Sequence, residues 1–311
     1  DALRRHPLLS SLGVSLVITL PFLIKTDDLE KGEKVIYEHR NYYGIYQVIN
    51  QPLSQEQNPD LSEEERYDLG KRTLLHGSTV HGSQVLHPTL RRNPTSYYHR
   101  AGPLSDILGD TKKARNVAVI GLGVGTCATY FQEGESLTFY ELDPAIEDIA
   151  RAGFTYLDDC PAEVKIVVGD ARLQLEHAPD HSYDIIMVDA FSSDAIPVHL
   201  LTKEAFDLYL KHLNPTGSSV IAVHISNRHL DLHPVLAEAA RAMGWKLRVY
   251  IQPKQFPTFG ESSSTWALMG PDESRLTGDH FDGLTQPPAP APARRVKLWT
   301  DEYASLLPIL K

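Results

Sequence analysis

The stretch Asn116-Val117-Ala118-Val119-Ile120-Gly121-Leu122-Gly123-Val124-Gly125 decides the fold of this chain. Its first half is a short apolar run rich in β-branched residues, which is typical of a buried strand. Its second half carries glycine at every second position, and glycine lets the backbone turn tightly and approach a ligand closely. The stretch therefore predicts a strand that ends in a ligand-binding turn and continues into a helix.

Three more apolar runs follow at helix-length intervals, and each is followed by an acidic side chain. The runs cover residues 137–140, 164–168 and 185–188, and the carboxylates after them belong to Glu141, Asp170 and Asp189. Strands that alternate with helix-length segments predict a doubly wound, mostly parallel α/β sheet. Ligands bind at the carboxyl ends of the strands in such sheets, so these three residues are the first candidates for a site.

The acidic composition limits the classes of partner. Among 311 residues, 40 are acidic and 30 are Lys or Arg, which gives a formal net charge of −10. Nucleic-acid binding depends on clustered cations that neutralise phosphates, and the sequence has no such cluster, so we predict no nucleic-acid partner. Only Cys127 and Cys160 are available for a disulfide, which favours a reducing, cytoplasmic location.

Changes in composition divide the chain into four predicted segments. Residues 1–30 are an apolar N-terminal segment, and residues 31–105 contain alternating runs that predict a small β-hairpin domain. Residues 106–275 hold the alternating strands and helices of the main, catalytic domain. Residues 276–311 are a proline-rich connector followed by an apolar tail, which we expect to dock on the main domain.

The apolar run from Leu8 to Ile24 follows two arginines and is interrupted by Pro21. A complete membrane span needs about 20 apolar residues, so the run is marginal for that purpose. Three interpretations stay open: a buried or interfacial segment, the stump of a membrane helix from a longer chain, and a targeting segment.

The first three strand ends together outline a nucleoside site. Gly121, Gly123 and Gly125 have a GxGxG spacing, which differs from the GxGxxG of dinucleotide-binding folds. About 20 residues further on, Glu141 suits hydrogen bonds to two ribose hydroxyls. Gly169-Asp170-Ala171 closes the third strand, where a carboxylate can accept a hydrogen bond from the exocyclic amine of adenine. These residues would bind a ribose and an adenine, with a short tail lying over the glycines. The predicted ligand is therefore S-adenosylmethionine or a relative, and not NAD.

The fourth strand end predicts acid–base chemistry. Asp189 and Asp194 place two carboxylates near the edge of the sheet. An amine must lose a proton before it attacks carbon, and a neighbouring carboxylate can hold the ammonium and accept that proton. The alternative is that either side chain only caps the following loop. We interpret His224, at the end of the fifth strand, as a hydrogen-bonded interior histidine.

A metal site is not predicted, although the chain has 14 histidines. His229 and His233 lie four residues apart and would share one face of a helix. No third ligand stands at a recognisable spacing from this pair, so we expect the chemistry to proceed without a metal ion.

Six motifs occur together between residues 80 and 269: His81-Gly82-Ser83-Gln84, Tyr97-Tyr98-His99, the glycine stretch, Glu141-Leu142-Asp143, Gly169-Asp170 and Asp189-Ala190-Phe191-Ser192-Ser193-Asp194. As a set they resemble the spermidine synthases, the polyamine aminopropyltransferases. The resemblance is strongest to bacterial spermidine-synthase-like domains fused to transporter-like membrane segments. It implies a Rossmann-like, S-adenosylmethionine-dependent transferase fold with a doubly wound, mostly parallel seven-stranded sheet and a small N-terminal β-domain.

The resemblance also implies a role for each motif. Glu141 would hold the ribose and Asp170 the adenine. Gln84 and Tyr98 would contact the substrate tail or the acceptor, while Asp189 would be the general base. The expected reaction transfers an aminopropyl-type group from S-adenosylmethionine or its decarboxylated form to a small-molecule amine and releases methylthioadenosine. A homodimer is a further expectation, as is membrane attachment through the N-terminal segment, with this chain as the cytoplasmic part.

Two other functions stay open at the level of sequence. Aminopropyltransferases carry an acidic residue in the glycine loop where this chain has Val124. That difference motivates methyl transfer, or elimination or cyclisation, on intact S-adenosylmethionine. The apolar N-terminal segment motivates a non-catalytic sensor domain that binds an adenosyl ligand and regulates a membrane protein.

Overall fold

Two β-sheets form the frame of the chain. The structure, a computed structural model, describes residues 32–77, 79–109, 115–190, 197–215, 219–252, 262–273, 276, 291–292 and 294–311. Within these residues an antiparallel sheet of four strands precedes a larger sheet of seven strands. The predictions for residues 1–30, for most of the proline-rich connector and for Asp194 fall outside the described residues.

The smaller sheet has the strand order β1-β2-β3-β4, and all of its neighbours are antiparallel. Its strands are β1 (Lys34–Asn41), β2 (Gly44–Gln51), β3 (Lys71–His76) and β4 (Thr79–Val85). The first pair is the predicted hairpin. Between β2 and β3 lies the short helix α1 (Glu63–Asp68), whose first turn is fixed by a capping box between Ser62 and Glu65.

The larger sheet confirms the predicted fold. Its strands are β5 (Asn116–Ile120), β6 (Ser136–Glu141), β7 (Glu163–Val168), β8 (Ile185–Val188), β9 (Val220–His224), β10 (Lys246–Gln252) and β11 (Ser264–Gly270). The spatial order is β10-β11-β9-β8-β5-β6-β7. Strands β5 to β9 run parallel to one another, and β10 and β11 add an antiparallel edge. The strand order reverses beside β5, so the glycine stretch leaves the sheet at its topological switch point.

Helices pack on this sheet and begin at residues suited to capping. They are α2 (Pro103–Leu108), α3 (Pro144–Gly153), α4 (Ala171–Leu175), α5 (Lys203–His212) and α6 (His233–Met243). Asp143 accepts a hydrogen bond from the Ala145 amide at the start of α3, and Thr202 accepts one from the Ala205 amide at the start of α5. Helix α6 ends at Gly244 in a left-handed conformation.

Alternate residues of the central strands face two separate cores. Val117, Val119 and Met187 belong to the core shared with the smaller sheet. Ala118 and Ile186 belong to the core shared with α5 and α6. Because both faces are covered, the strands read as continuous apolar runs and not as alternating ones.

The segment after the glycine stretch differs from the prediction. It is a 3-10 turn, Thr126–Tyr130, and not an α-helix. The Thr129 hydroxyl bonds back to the Thr126 carbonyl at 2.9 Å, which competes with helical hydrogen bonding. Four of the five residues are buried, so tertiary packing decides the conformation of this turn.

The described part of the C-terminal tail lies against α4 and α5. Trp299 is buried, and its carbonyl accepts a hydrogen bond from the Lys203 amide at 2.8 Å. Asp301 pairs with the Arg172 guanidinium through both of its oxygens, at 2.7 and 2.8 Å. Across the part of the chain that the structure describes, no helix combines the length and the apolar character that a membrane crossing requires.

Candidate active site

A cavity of about 140 Å³ lies where the carboxyl ends of β5 to β8 meet the smaller sheet. The larger sheet contributes acidic and glycine residues to its wall, and the smaller sheet contributes aromatic and histidine side chains. From the larger sheet come Gly121, Gly123, Glu141, Asp143, Asp170, Ala171 and Asp189; from the smaller come Tyr43, Tyr46, His76 and His81. The three strand-end carboxylates predicted from sequence therefore share one cavity.

The glycine stretch requires glycine at its first two positions because the backbone is crowded there. Gly121 has a φ of 99°, and a Cβ on it would lie 2.3 Å from the Asp189 carbonyl oxygen. A Cβ on Gly123 would lie 2.6 Å from the carbonyl oxygen of His81. Gly125 does not line the cavity, and its missing side chain instead makes room for Leu157. Only the first two glycines thus shape the ligand-facing turn.

Glu141 holds this turn in place. One of its carboxylate oxygens accepts from the Leu122 amide at 2.9 Å, and the other accepts from the Asp143 amide at 3.0 Å. Burial raises the pKa of the carboxyl, and the backbone donors partly offset that effect. Each oxygen keeps a second lone pair, so the carboxylate retains capacity for two hydroxyl donors.

The hairpin between β1 and β2 is fastened over the same edge of the cavity. Asn41 donates from its side-chain amide to Asp143 at 2.7 Å, while the other oxygen of Asp143 caps α3. Burial, followed by the neighbouring Asp143 carboxylate, raises the pKa of Tyr46 well above its usual range. The Tyr46 phenol therefore stays protonated and available as a donor at neutral pH.

Asp170 serves both as a helix cap and as part of the wall. One oxygen accepts from the Arg172 and Leu173 amides at 3.0 and 3.2 Å, which fixes the start of α4. The other oxygen lies 3.1 Å from the Nε2 atom of His199, which also lines the cavity. Ala171 follows directly and also lines the cavity.

Asp189 lies at the centre of a buried network of side chains. The Tyr98 hydroxyl donates to one carboxylate oxygen at 2.6 Å, and His224 Nδ1 lies 2.9 Å from the other. Only 5% of the Asp189 side chain is exposed. Burial first, and the Asp189 charge second, hold the pKa values of Tyr97 and Tyr98 well above the usual range. Both phenols are therefore protonated at neutral pH and can donate hydrogen bonds to the Asp189 carboxylate.

His81 brings a nitrogen atom without a partner to the cavity. Its Nε2 atom is buried and has no hydrogen-bond partner among the described residues. Burial, and then the nearby His76, lower the pKa of the imidazole to about 4, although Asp189 acts in the opposite direction. The ring is neutral at pH 7 and can accept or donate one hydrogen bond to a ligand.

Two of the predicted site residues, Gln84 and Tyr98, do not line the cavity. Gln84 is buried and uses its amide to join β4 to the segment after α3: it donates to the Arg91 carbonyl and the Thr155 hydroxyl and accepts from the Thr155 amide. Tyr98 does not line the cavity but contacts Asp189 behind it. Gln84 thus joins two segments near the site without lining the cavity. Tyr98 is linked to the cavity through its hydrogen bond to the Asp189 carboxylate.

Several site residues were missed at the sequence level. His224 follows the rule for strand-end residues but had no acidic motif around it, and His199 lies outside every motif. Tyr46 and His76 come from the smaller sheet, whose position over the cavity no local pattern indicates. His81 stands in the first motif, which was the available signal. Among the described residues, no three His, Cys, Asp or Glu side chains are grouped so that they could hold a metal ion.

The chain is similar to curated aminopropyltransferases, although no protein-family model matches it. It is 30% identical over 162 residues to the "Probable polyamine aminopropyl transferase" of Bifidobacterium longum, which covers 51% of this chain and 34% of that protein. It is 29% identical over 126 residues to the "Polyamine aminopropyltransferase" of Vibrio vulnificus, which covers 39% of this chain and 41% of that protein. The chain thus spans less than half the length of both relatives.

The fold has a close counterpart among solved structures. The spermidine synthase from Thermotoga maritima superposes with a TM-score of 0.52 at 16% sequence identity. The match covers 86% of this chain and 82% of that enzyme, so both sheets have counterparts in one architecture. The chain is therefore similar in sequence to the polyamine aminopropyltransferases, as its motifs predicted, and it has the fold of a spermidine synthase.

Proposed function

We propose that this chain is a spermidine-synthase-like transferase, which moves an aminopropyl-type group from an adenosyl sulfonium donor to an amine and releases methylthioadenosine. The observation that carries the proposal is Asp189, a carboxylate held by Tyr98 and His224 at the edge of a cavity that also contains Glu141 and Asp170. A base beside an acidic cavity suits the alkylation of an amine. The similarity to curated aminopropyltransferases supports the same reaction.

The charge of the cavity favours decarboxylated S-adenosylmethionine as the donor. Four carboxylates line the described wall, those of Glu141, Asp143, Asp170 and Asp189, and no Lys or Arg side chain lines that part of it. Decarboxylated S-adenosylmethionine carries two positive charges and no carboxylate. The carboxylate of intact S-adenosylmethionine would meet like charges without a cationic partner, which disfavours its binding.

In this assignment the donor side of the cavity binds and the acceptor side reacts. Glu141 accepts hydrogen bonds from the ribose hydroxyls, Asp170 accepts from the adenine amine, and the backbone of Gly121 and Gly123 supports the sulfonium end. Asp189 binds the acceptor ammonium and takes one of its protons. The nitrogen lone pair then forms a bond to the methylene carbon next to sulfur, while the carbon–sulfur bond breaks and its electron pair stays on sulfur. The leaving group is a neutral thioether, so it needs no general acid.

The homodimer expected by resemblance is part of the proposal. In the described sheet β1 is the outer strand, and Val35, Ile36 and Tyr37 on it are 40%, 48% and 47% exposed. An apolar outer strand favours pairing with a second copy. Light scattering should give twice the chain mass for the native protein and a lower mass for Ile36→Glu. Membrane attachment through residues 1–30 and a cytoplasmic location stay predictions.

Product analysis with each donor tests the function. The protein is incubated with a panel of diamines and polyamines and with either decarboxylated or intact S-adenosylmethionine, and products are identified by mass spectrometry. We expect methylthioadenosine and an amine enlarged by one aminopropyl group from the decarboxylated donor. S-adenosylhomocysteine from the intact donor would instead indicate methyl transfer. Tight binding of adenosyl ligands with no turnover on any amine would indicate a sensor.

A further inference from the structure

We propose that His224 is a positioning residue for Asp189 and that Ser226 fixes the tautomer of His224. The inference rests on the proposed role of Asp189 as the base, and it adds two residues to which no role in the reaction has been given. His224 Nδ1 lies 2.9 Å from one Asp189 oxygen, and its Nε2 lies 2.7 Å from the Ser226 hydroxyl. The three side chains form one continuous line of hydrogen bonds.

The far end of this line determines which nitrogen of the ring carries the proton. The Ser226 oxygen accepts a hydrogen bond from the Thr265 amide at 2.8 Å. Its own hydrogen remains available for His224 Nε2, and we infer that Nε2 accepts it. Neutral His224 therefore carries its proton on Nδ1 and donates it to Asp189. This tautomer assignment follows from the hydrogen-bond network.

Two aromatic rings hold the plane of the imidazole. Tyr97 stacks on one side at 4.3 Å between ring centroids and 22° between planes, and Trp266 stacks at 4.8 Å and 26°. Trp266 stands directly opposite His224 in the antiparallel pairing of β9 with β11. Since only 7% of the His224 side chain is exposed, the ring has no room to rotate.

These contacts fix the orientation of the Asp189 carboxylate. His224 occupies one lone pair on one oxygen and Tyr98 occupies one on the other. Tyr97 also hydrogen-bonds to Asp189, so the directions of these donors together set where an ammonium can bind to the carboxylate. Among the described residues, other titratable groups within electrostatic reach of Asp189 are Tyr97, His81 and Cys127. His224 differs from these three groups because one ring nitrogen lies next to Asp189 and the other lies next to Ser226.

Three variants test the proposal: His224→Leu, His224→Gln and Ser226→Ala. Loss of a hydrogen bond to a charged group should lower kcat about 100-fold in His224→Leu, with the KM for the donor within about twofold. His224→Gln restores an N–H donor and should recover about tenfold of that loss, while Ser226→Ala should lower kcat only about threefold.

Two controls separate positioning from loss of structure. His224 does not line the donor cavity, so each variant should bind methylthioadenosine like the native protein and keep a cooperative thermal transition. An unchanged kcat in His224→Leu, or a loss of kcat that His224→Gln does not recover at all, would overturn the proposal.

A second measurement does not depend on turnover. In native protein labelled with ¹⁵N-histidine, the His224 nitrogen shifts should report a proton on Nδ1, and Asp189→Asn and Ser226→Ala should each disturb it. A proton on Nε2 alone, or shifts that ignore both variants, would overturn the proposal. If the native protein makes no product from any amine, the proposed function fails, and these shifts still decide whether His224 is oriented by Asp189 and Ser226.

Discussion

The donor and acceptor sides of the cavity hold their carboxylates in opposite ways. Glu141 and Asp170 are held mainly by backbone amides that lie close by in sequence, two or three residues away in three of four bonds. Asp189 is held by the side chains of Tyr98 and His224, which are 91 and 35 residues away. A backbone N–H is lost only on substitution by proline, whereas a side-chain donor is lost on many substitutions. The binding half of the site is thus built by local structure, and the reacting half by tertiary packing.

The largest effect should come from the charge at the centre of the acceptor side. Asp189→Asn keeps the shape of the side chain but cannot take a proton, so we expect transfer to slow about 1,000-fold. Donor binding should persist, because Glu141 and Asp170 keep their own hydrogen bonds to backbone amides. Single-turnover release of methylthioadenosine measures the loss, and calorimetry with methylthioadenosine measures the binding. Undiminished single-turnover transfer would show that Asp189 is not the base.

A smaller effect of another kind should come from the donor side. Glu141→Gln replaces one acceptor oxygen by an amide that faces backbone N–H groups, so the affinity for methylthioadenosine should fall about 10- to 100-fold. The rate at saturating donor should change far less. Asp148→Asn on the exposed side of α3 is the matched control and should leave the dissociation constant unchanged. Equal losses in kcat for Glu141→Gln and Asp189→Asn would remove the distinction between the two sides.

The Tyr98 hydroxyl gives a sharper test of side-chain anchoring. Tyr98→Phe leaves the aromatic packing but removes one of the donors to Asp189, and we expect kcat to fall about tenfold. The exposed Tyr37→Phe serves as the control for a lost phenol. An unchanged kcat in Tyr98→Phe would mean that the other donors suffice to hold the carboxylate.

The smallest effect concerns the tail that braces the donor side. Arg172, and then Thr202, lower the pKa of Asp301 from 3.8 to about 2. An acid with a depressed pKa contributes stability that is present above its unfolded value and is lost as the pH falls through its folded value. Asp301→Asn should therefore lower the Tm slightly at pH 6, and the difference from native protein should vanish as the pH falls from about 4 to about 2. A constant difference at every pH would contradict this assignment.

The difference between the two sides also explains how much the sequence could predict. The strands, the glycine stretch, Glu141 and Asp170 were predictable because strand ends, caps and close backbone approaches leave local patterns. Asp189 was predictable as a strand-end carboxylate, but its partners were not. His224 was interpreted as an interior histidine, and it is one, yet its hydrogen bond to Asp189 depends on the neighbouring positions of β8 and β9 in the sheet.

Tertiary packing accounts for the other differences from the sequence-based expectations. The turn after the glycines was expected to be helical, and burial of Thr126–Tyr130 overrides that expectation. Gln84 was expected at the ligand, and its amide is used instead to join β4 to Thr155. Both outcomes depend on tertiary contacts with residues that are distant in sequence, and neither the spacing of motifs nor the composition indicates such contacts.

The close approach of Gly121 to the Asp189 carbonyl has a kinetic consequence. The turn that we propose binds the donor and the strand end that carries the proposed base approach each other through their backbones, with no side chain between them. A donor seated on the turn therefore sets the position of the base before any amine arrives. We expect an ordered addition, donor first and amine second, and we expect Gly121→Ala to disturb both steps through a single methyl group.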